Sequence, residues 1–195
     1  MNETKAIQYA LHALSGLNPS LEHHDLEHTK SFVLPCVELL CKKEGVSSEE
    51  TALLRTAAAF HDLGYLEEYH NNEYVAIRIA KEQLPKFEYT TEEIATVERL
   101  IRITNLRTNP SKLDECILRD ADISHLGSKR FFERSDKYRK ELAARGKRYS
   151  DKEWLQFQIQ FMNQQQYYTT TAKKLLDPIR KQNIEKMQEM LKDLS

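Results

Sequence analysis

Three capping boxes recur along this 195-residue chain, and they constrain its fold more than any other local pattern. Each pairs a Ser or Thr with a Glu three residues later, just ahead of a periodic apolar run: Ser47–Glu50, Thr90–Glu93 and Ser150–Glu153. The two side chains of such a box satisfy backbone N–H groups that the first turn of a helix leaves free. No β-type alternation persists over a useful length. The pattern predicts an all-α protein.

Residues that favour turns are scarce, and they divide the chain into helical segments. Only five glycines and five prolines are present, and four of the glycines mark turns (Gly45, Gly64, Gly127, Gly146). Pro35 is expected to kink the helix that contains it. We predict helices near residues 2–15, 25–44, 48–62, 72–84, 91–105, 111–125, 128–145, 151–166 and 169–194.

The domain organisation follows from length and continuity. No repeat or linker divides the sequence, so residues 1–195 are predicted to form a single helical domain. We expect a compact helical core that is followed by a helical C-terminal extension. The net charge of −1 provides no overall attraction to nucleic acid or to an anionic membrane.

The sequence predicts neither a secretory signal peptide nor paired cysteines. The first residues, MNETKAIQYALHAL, are acidic and polar where a signal peptide needs a basic start and an apolar core. No apolar run reaches the roughly 18 residues of a membrane span. Cys36, Cys41 and Cys116 form an odd set without a CxxC motif, which favours reduced thiols. Cys36 and Cys41 lie on an apolar stretch, so we expect these two to fill the core. A cytoplasmic protein is expected.

The dipeptide His61-Asp62 follows an apolar, helix-like run that ends at Phe60. Asp is almost never fully buried unless it is paired or binds a metal, so this position favours a functional site. Gly64 is placed to end the helix in a left-handed cap. Because a lone His-Asp pair also occurs by chance, the interpretation depends on which other side chains reach it.

Two other segments supply side chains that can bind a metal. Upstream, His24 and His28 are four residues apart, which would place them on one helix face. Downstream, Asp120 and Asp122 lie among aliphatic residues in LRDADISHLG. Imidazole and carboxylate ligands together suit Mn, Fe, Co, Ni or Zn better than calcium, whose ligands are all oxygen.

With these residues the chain resembles the HD superfamily of metal-dependent phosphohydrolases, whose pattern is H…HD…D. The matching residues are His28 in EHT, His61-Asp62 in AAAFHDLGY and Asp122 in LRDADISHLG. The resemblance covers about residues 20–130, which would form the core of the domain, and leaves a helical extension over about residues 131–195. It implies a compact helical bundle in which His28, His61, Asp62 and Asp122 hold one divalent transition metal ion, with Mg also admissible. It further implies that Asp62 orients the attacking water, and Glu73 is a candidate acid/base group.

The activity that the resemblance implies is hydrolysis of a phosphomonoester or phosphodiester by metal-activated water. The substrate would be a small phosphorylated molecule such as a nucleotide or nucleotide-like messenger, with no membrane partner, and a homo-oligomer is left open. The near-zero net charge argues against nucleic acid. No GxxxxGK[ST] or GxGxxG loop is present, which excludes nucleotide binding through glycine-rich loops.

Two positions depart from the family pattern. Asn72-Glu73 stands where relatives often carry His-Glu, and Gln166 stands where they carry a His before Tyr-x-Thr. Amide side chains are poor ligands for these metals, which disfavours a second ion, although His70 is close enough to substitute. The departures leave open an alternative function, in which a degenerate HD module binds a metal or nucleotide and signals to a partner.

A basic segment follows the last candidate ligand. Residues 129–148 include nine basic and three acidic residues. Since cationic side chains recognise phosphate, Lys129 and Arg130 are candidate substrate-binding residues. His24 is a further candidate, because it could orient a ligand or a phosphate. The charged face of an ordinary surface helix explains the same pattern, and both interpretations stay open.

Overall fold

The computed structural model describes residues 1–194, and every regular element in that range is helical, which confirms the all-α prediction. Its α-helices are α1 (Glu3–Leu14), α2 (Leu34–Glu44), α3 (Ser48–Phe60), α4 (Asn72–Gln83), α5 (Thr91–Ile103), α6 (Leu113–Asp122), α7 (Phe131–Ala144), α8 (Asp151–Gln164), α9 (Thr170–Leu175) and α10 (Asp177–Asp193). A π-helical segment (His28–Val33) precedes α2, and 3-10 turns at Leu63–Leu66, Leu84–Phe87 and Ile123–Gly127 follow α3, α4 and α6.

All three predicted capping boxes are formed. In the first, the backbone N–H of Glu50 donates to Ser47 Oγ at 3.2 Å, and the Glu50 carboxylate accepts from the Ser47 N–H. The boxes that begin at Thr90 and Ser150 have the same two hydrogen bonds. They set the first residues of α3, α5 and α8, because they satisfy N–H groups that have no partner inside the helix.

Helix α3 lies at the centre of the fold and packs against α1, α2, α5 and α6. Its residues from Ala57 to Phe60 have no solvent exposure. Small side chains in this stretch let the surrounding helices approach closely. Because α3 ends inside the protein, the two residues that follow it are also buried, with His61 1% and Asp62 4% exposed.

Gly64 does not form the left-handed cap that its position predicts. It lies in the 3-10 turn after α3, and the glycines with positive φ in the described chain are Gly45 and Gly146. Glycine is required for a different reason, since a Cβ at this position would overlap the backbone of Asn72. The missing side chain therefore allows the start of α4 to pack directly on the turn that follows Asp62.

The helix predicted over residues 25–44 contains a change of helical type. The N–H of Leu34 donates to the carbonyl of Thr29, five residues back, just before Pro35, which has no N–H. Such π-helical turns often occur at functional sites, and this one begins at His28. His24 lies ahead of the helix, so the prediction that His24 and His28 share a helix face is wrong.

The helix predicted over residues 169–194 is also divided. Helices α9 and α10 meet at Leu176, two residues before Pro178. Proline lacks an N–H, and it disfavours helical geometry in the residue before it, so the two helices do not merge.

The C-terminal helices pack on the rest of the chain. The Asp120 carboxylate accepts hydrogen bonds from the N–H groups of Tyr168 and Thr169, each at 2.8 Å. The side chain of Asn183 donates to the carbonyl of Leu126 at 3.0 Å. The contacts fix the extension against α6 and the turn that follows it.

Two further predictions concern the cysteines and membrane-spanning helices. Cys36 and Cys41 are buried free thiols, and both belong to the hydrophobic core. Among the helices in residues 1–194, none is long and apolar enough to cross a lipid bilayer.

Candidate metal centre

Three separate elements bring the H…HD…D side chains together. His28 begins the π-helical segment, His61 and Asp62 follow α3, and Asp122 ends α6. His28 Nε2 lies 3.2 Å from Asp122 Oδ1 and 3.9 Å from Asp62 Oδ2. His61 Nε2 lies 3.2 Å from Asp62 Oδ2 and 3.5 Å from Asp122 Oδ1. The ligand atoms of His28, His61 and Asp122 all lie within 4.8 Å of one another, which is the spacing expected for groups that share one ion.

Three buried side-chain atoms of these four residues have no hydrogen-bond partner within residues 1–194, namely His28 Nδ1, His61 Nε2 and Asp62 Oδ2. Most buried polar atoms in proteins are satisfied, and two of these three, His61 Nε2 and Asp62 Oδ2, face each other inside the cluster. His61 Nδ1 lies 2.7 Å from the carbonyl oxygen of Ala58 and donates to it, so Nε2 is the nitrogen that faces the carboxylates. An imidazole nitrogen beside carboxylate oxygens is a donor set that fits a divalent transition metal.

Charges within the cluster are strongly coupled. Burial by itself lowers the pKa of His61, but the nearby carboxylates of Asp62 and Asp122 outweigh burial and hold that pKa well above its usual value. Burial raises the pKa of Asp122, but the hydrogen bond with His28 and the nearby imidazole of His61 outweigh burial and hold that pKa well below its usual value. The carboxylates thus need positive charge beside them, and a divalent cation supplies it.

A second buried pair lies beside the cluster. His24 Nδ1 lies 2.6 Å from Glu141 Oε1, and Glu141 Oε2 accepts from the backbone N–H groups of His23 at 2.9 Å and His24 at 3.1 Å. The hydroxyl of Tyr69 donates to Oε1 of the same carboxylate at 3.1 Å. Burial disfavours the imidazolium of His24, but the hydrogen bond with Glu141 outweighs burial and raises its pKa. Nε2 of His24 makes no hydrogen bond to residues 1–194, so it is free to meet a ligand.

Two further imidazoles link the pair to the cluster. The ring of His23 lies 4.9 Å from that of His24 and 5.8 Å from that of His28, and His125 lies 5.8 Å from His28. Burial holds the pKa of His23 well below its usual value, and it lowers the pKa of His125 to about 3. Both rings are therefore neutral near pH 7, and they add no positive charge beside His24 and His28.

A cavity of about 450 Å³ opens onto the cluster. Arg107, in the loop between α5 and α6, is the single Lys or Arg among the described residues that line it. The guanidinium of Arg107 makes no hydrogen bond or ion pair within residues 1–194. Gln158 of α8 also lines the cavity. The other lining residues are mostly aromatic, imidazole or polar, among them Tyr65, Tyr69, His70, Asn105, Phe131, Ser135, Tyr138 and Phe161.

The structure places some predicted site residues at this cavity and others away from it. His24 and Glu73 both line it, and so does Asn72, which occupies the position where relatives often have His. His70 lines the cavity as well. Gln166 is not among the lining residues, so the two departures from the family pattern differ in their relation to the site.

Lys129 and Arg130 do not line the cavity. Arg130 instead pairs with Glu27 at 2.6 Å and Glu133 at 2.7 Å. Four other cations of the basic segment have acidic partners in the same way, in the pairs Arg134–Asp25, Lys137–Glu27, Arg139–Asp151 and Lys140–Asp136. Local acids therefore neutralise much of the segment, which favours the interpretation as the charged face of a surface helix.

Sequence reasoning missed Glu141, Arg107 and Gln158. In the sequence, Glu141 was noted only as one of the three acidic residues in the basic segment 129–148. Helical periodicity nevertheless places it near the α7 face that also carries Ser135 and Tyr138. That periodicity was a usable signal. No comparable local signal marks Arg107, which lies in a loop, or Gln158, which lies within an amphipathic helix.

Comparison with known proteins agrees with this geometry. The family model described as HD domain matches residues 26–127, which is more than half of the chain. The matched segment contains His28, His61, Asp62 and Asp122. No curated protein and no solved structure matches the chain. The chain therefore belongs to the HD domain family, within the superfamily of metal-dependent phosphohydrolases.

Proposed function

We propose that this protein is a metal-dependent phosphohydrolase that cleaves a phosphate ester in a small molecule of the nucleotide class. The observation that carries the proposal is the pair of buried atoms without hydrogen bonds, His61 Nε2 and Asp62 Oδ2, which lie 3.2 Å apart beside His28 and Asp122. Leaving a buried polar atom unsatisfied costs about 1–3 kcal/mol. A bound cation would remove that cost for both atoms.

His28, His61, Asp62 and Asp122 would hold one divalent transition metal ion, from the group Mn, Fe, Co, Ni and Zn, with Mg also admissible. When bound, the ion supplies Lewis acidity toward phosphate and lowers the pKa of water at the site. The second carboxylate oxygen of Asp62 would accept a hydrogen bond from the attacking water and orient it. The amide of Asn72 lines the cavity at a position where an imidazole would favour a second ion, so we propose a single ion.

Arg107 is the phosphate-binding cation that we favour over Lys129 and Arg130. It lines the cavity and has no acidic partner within residues 1–194, whereas Arg130 is engaged with Glu27 and Glu133. A guanidinium offers paired N–H donors that match two phosphate oxygens. The exposed position of Arg107 in a loop also leaves its side chain free to close on a substrate.

We assign the proton for the leaving group to His24, with Glu141 as its positioning residue. Glu141 engages Nδ1 of His24, which leaves Nε2 as the nitrogen that can donate a proton into the cavity. As water forms the new bond to phosphorus, the old P–O bond breaks with its electron pair on the leaving oxygen, which takes the proton from Nε2. The product is a neutral alcohol, and His24 regains its proton from solvent.

Glu73 is our candidate for accepting the proton that the attacking water releases. It lies in the first turn of α4, half-buried, and it lines the cavity. Its carboxylate makes no hydrogen bond or ion pair within residues 1–194, so it is available as a base. Return of this proton to solvent balances the one that His24 takes up.

A second candidate function is non-catalytic, as a module that binds a metal or nucleotide and signals to a partner. The observation that favours it is Asn72, which lines the cavity in place of an imidazole. Wild type and an Asn72→His, Gln166→His double variant would discriminate between the functions. Turnover by wild type supports the enzyme, whereas turnover by the double variant alone supports the binding module.

The enzyme proposal is tested first through metal content per chain, measured by mass spectrometry on proteins purified side by side without chelators. The variants are Asp62→Ala and, as a control, Asp136→Ala, which removes an exposed aspartate paired with Lys140 on α7. We expect one transition metal ion per chain in wild type and control, none in Asp62→Ala, and phosphate release from nucleoside monophosphates to follow metal content. Wild type that takes up no metal after incubation with Mn, Ni or Zn would refute the proposal.

A further inference from the structure

We propose that Gln158 is a specificity-determining residue that reads the edge of a flat, uncharged ring in the substrate, of the nucleobase type. The inference rests on the proposed phosphohydrolase function for the phosphate end of the same molecule. It concerns a different part of the cavity, which α7 and α8 form, and it follows from the unpartnered side chain of Gln158.

Two helical stripes line this part of the cavity. The α7 stripe consists of Phe131, Ser135 and Tyr138, and the α8 stripe consists of Gln158 and Phe161, with the three- and four-residue spacings of single helix faces. Trp154 joins the stripes, because its indole N–H donates to Ser135 Oγ at 3.0 Å and its ring lies 5.9 Å from that of Tyr138. These contacts fix the two helices relative to each other.

Gln158 is a buried polar residue among apolar neighbours on α8. Gln158 is 3% exposed, and its carboxamide makes no hydrogen bond within residues 1–194. The other buried residues of α8 are apolar, namely Trp154, Leu155 and Met162. The carboxamide atoms themselves are not sealed from solvent, so they are reached from the cavity that Gln158 lines. Packing against apolar neighbours does not explain a glutamine here, whereas a ligand in the cavity could pair with its amide.

The surroundings of Gln158 define the chemistry of its ligand. The lining side chains of α7 and α8 carry no charge, and two are phenyl rings, Phe131 and Phe161. Ser135 Oγ already accepts a hydrogen bond from Trp154, so its hydroxyl hydrogen is available, and the Tyr138 hydroxyl makes no hydrogen bond within residues 1–194. Aromatic walls with neutral donors and acceptors suit a flat heterocycle better than a phosphate or a carboxylate.

A carboxamide offers one N–H donor direction and one oxygen acceptor side by side. It therefore pairs in bidentate fashion with a ring edge that presents an adjacent acceptor and donor, as glutamine does with adenine. A sugar phosphate without a base would leave Gln158 unpaired. The structure thus predicts that a base improves binding, and that Gln158 carries the improvement.

Nucleosides are the probe that tests this inference separately from the proposed reaction, because they have no phosphate to hydrolyse. We would titrate the full-length protein with adenosine, guanosine, cytidine, uridine and ribose by calorimetry. The variants are Gln158→Leu and Gln158→Glu, and the matched control is Gln160→Leu, which removes an exposed glutamine from another face of α8. Circular dichroism would verify that each variant is folded.

Wild type and Gln160→Leu are expected to bind at least one nucleoside and to bind ribose far more weakly. Gln158→Leu should lower the affinity for the preferred nucleoside by about tenfold or more, since a bidentate pair of hydrogen bonds is lost. Gln158→Glu replaces the N–H donor with an oxygen acceptor. It should therefore change which nucleoside binds most tightly, and it should not lower the affinities for all nucleosides equally.

Wild type that binds no nucleoside while it hydrolyses phosphate esters would overturn the inference and leave the proposed function standing. Unchanged nucleoside affinity in both Gln158 variants would overturn it as well. Nucleoside binding that depends on Gln158 in a protein that hydrolyses no ester would support the inference and count against the enzyme.

Discussion

The Nδ1 atom of His24 lies 2.6 Å from Oε1 of Glu141, although 117 residues separate the two in sequence. The contact joins α7 to the segment that leads into His28, and it leaves Nε2 of His24 available to the cavity. Two backbone N–H groups and the hydroxyl of Tyr69 hold the Glu141 carboxylate in place. Glu141 can therefore position His24 and favour its protonated form, and both effects are measurable apart from metal binding.

The role of His24 predicts a dependence on the leaving group. His24→Asn should lower kcat/KM for an alkyl phosphate ester by about 10²–10⁴-fold, because the alkoxide needs a proton as it departs. Hydrolysis of nitrophenyl phosphate should fall much less, since nitrophenolate leaves without one. Steady-state kinetics on both esters, with metal content unchanged, would check this. An equal loss on both substrates would show that His24 binds phosphate instead.

The positioning role of Glu141 predicts a shift in the pH profile. Burial lowers the pKa of His24 and the Glu141 carboxylate raises it, so Glu141→Gln should lower that pKa. His24 acts as the protonated form, so the loss of alkyl-ester hydrolysis with rising pH should come at lower pH in the variant. The other titratable groups around His24 are unchanged by this substitution, namely His23, Tyr65, Tyr69, Tyr138, Asp62 and Asp122.

Glu133→Gln, an exposed position on the same helix, provides the control for that profile. It should leave the pH dependence where it is in wild type. A Glu141→Gln profile that coincides with both would contradict the proposed role of Glu141.

Arg107 is predicted to act in substrate binding. Arg107→Ala should raise KM by about tenfold to hundredfold with a smaller change in kcat, because charge-assisted hydrogen bonds to phosphate are lost in ground and transition states alike. Arg148→Ala removes another exposed arginine without a partner in residues 1–194, one that does not line the cavity, and should have no effect. Equal kinetics for the two variants would exclude Arg107 from the site.

Two neighbouring aspartates on α6 should separate structure from metal binding. Asp120 is fully buried and binds the N–H groups of Tyr168 and Thr169, so Asp120→Asn should lower the free energy of unfolding by about 1–3 kcal/mol and keep the metal. Asp122→Asn should lower metal content and cost less stability. Urea denaturation and metal analysis on both variants test this prediction. Loss of metal in Asp120→Asn, together with a larger loss of stability in Asp122→Asn, would contradict our assignment.

Glu115 is predicted to stabilise the fold in a pH-dependent way. Burial raises its pKa, but hydrogen bonds from the Ser111 and Lys112 backbone and an ion pair with Arg99 outweigh burial and lower it to about 2 from 4.5. A carboxyl group with a depressed pKa contributes stability above its unfolded pKa and loses it as the pH falls through the folded value.

Glu115→Gln should therefore cost about 1–3 kcal/mol at pH 7, and its difference from wild type should shrink between about pH 4.5 and pH 2. Urea denaturation across that range is the measurement. Glu189→Gln, at an exposed residue of α10 without a partner in residues 1–194, should match wild type throughout. A constant difference for Glu115→Gln would argue that the carboxylate charge plays no part.

Local sequence determined most of the helices, because the interactions that start a helix lie within it. In the capping box of Ser47 and Glu50, donor and acceptor are three residues apart, so no tertiary information is needed to find it. The breaks were less accessible. The helix predicted over residues 169–194 is divided at Leu176, because Pro178 has no N–H to continue it. The apolar periodicity of this segment continues across the break, so it did not indicate the break.

The sequence by itself also determined which side chains could ligate a metal, since His28, His61, Asp62 and Asp122 stand in a recognisable order. Only the tertiary structure decided what surrounds them. Glu141 reaches His24 and Arg130 reaches Glu27 across more than a hundred residues of chain, and Gly64 is required by the backbone of Asn72. Helical periodicity predicts which side chains share a face of one helix. Hydrogen bonds, ion pairs and steric fit depend instead on the distance to a side chain or backbone elsewhere in the chain, and only the packing of the helices sets that distance.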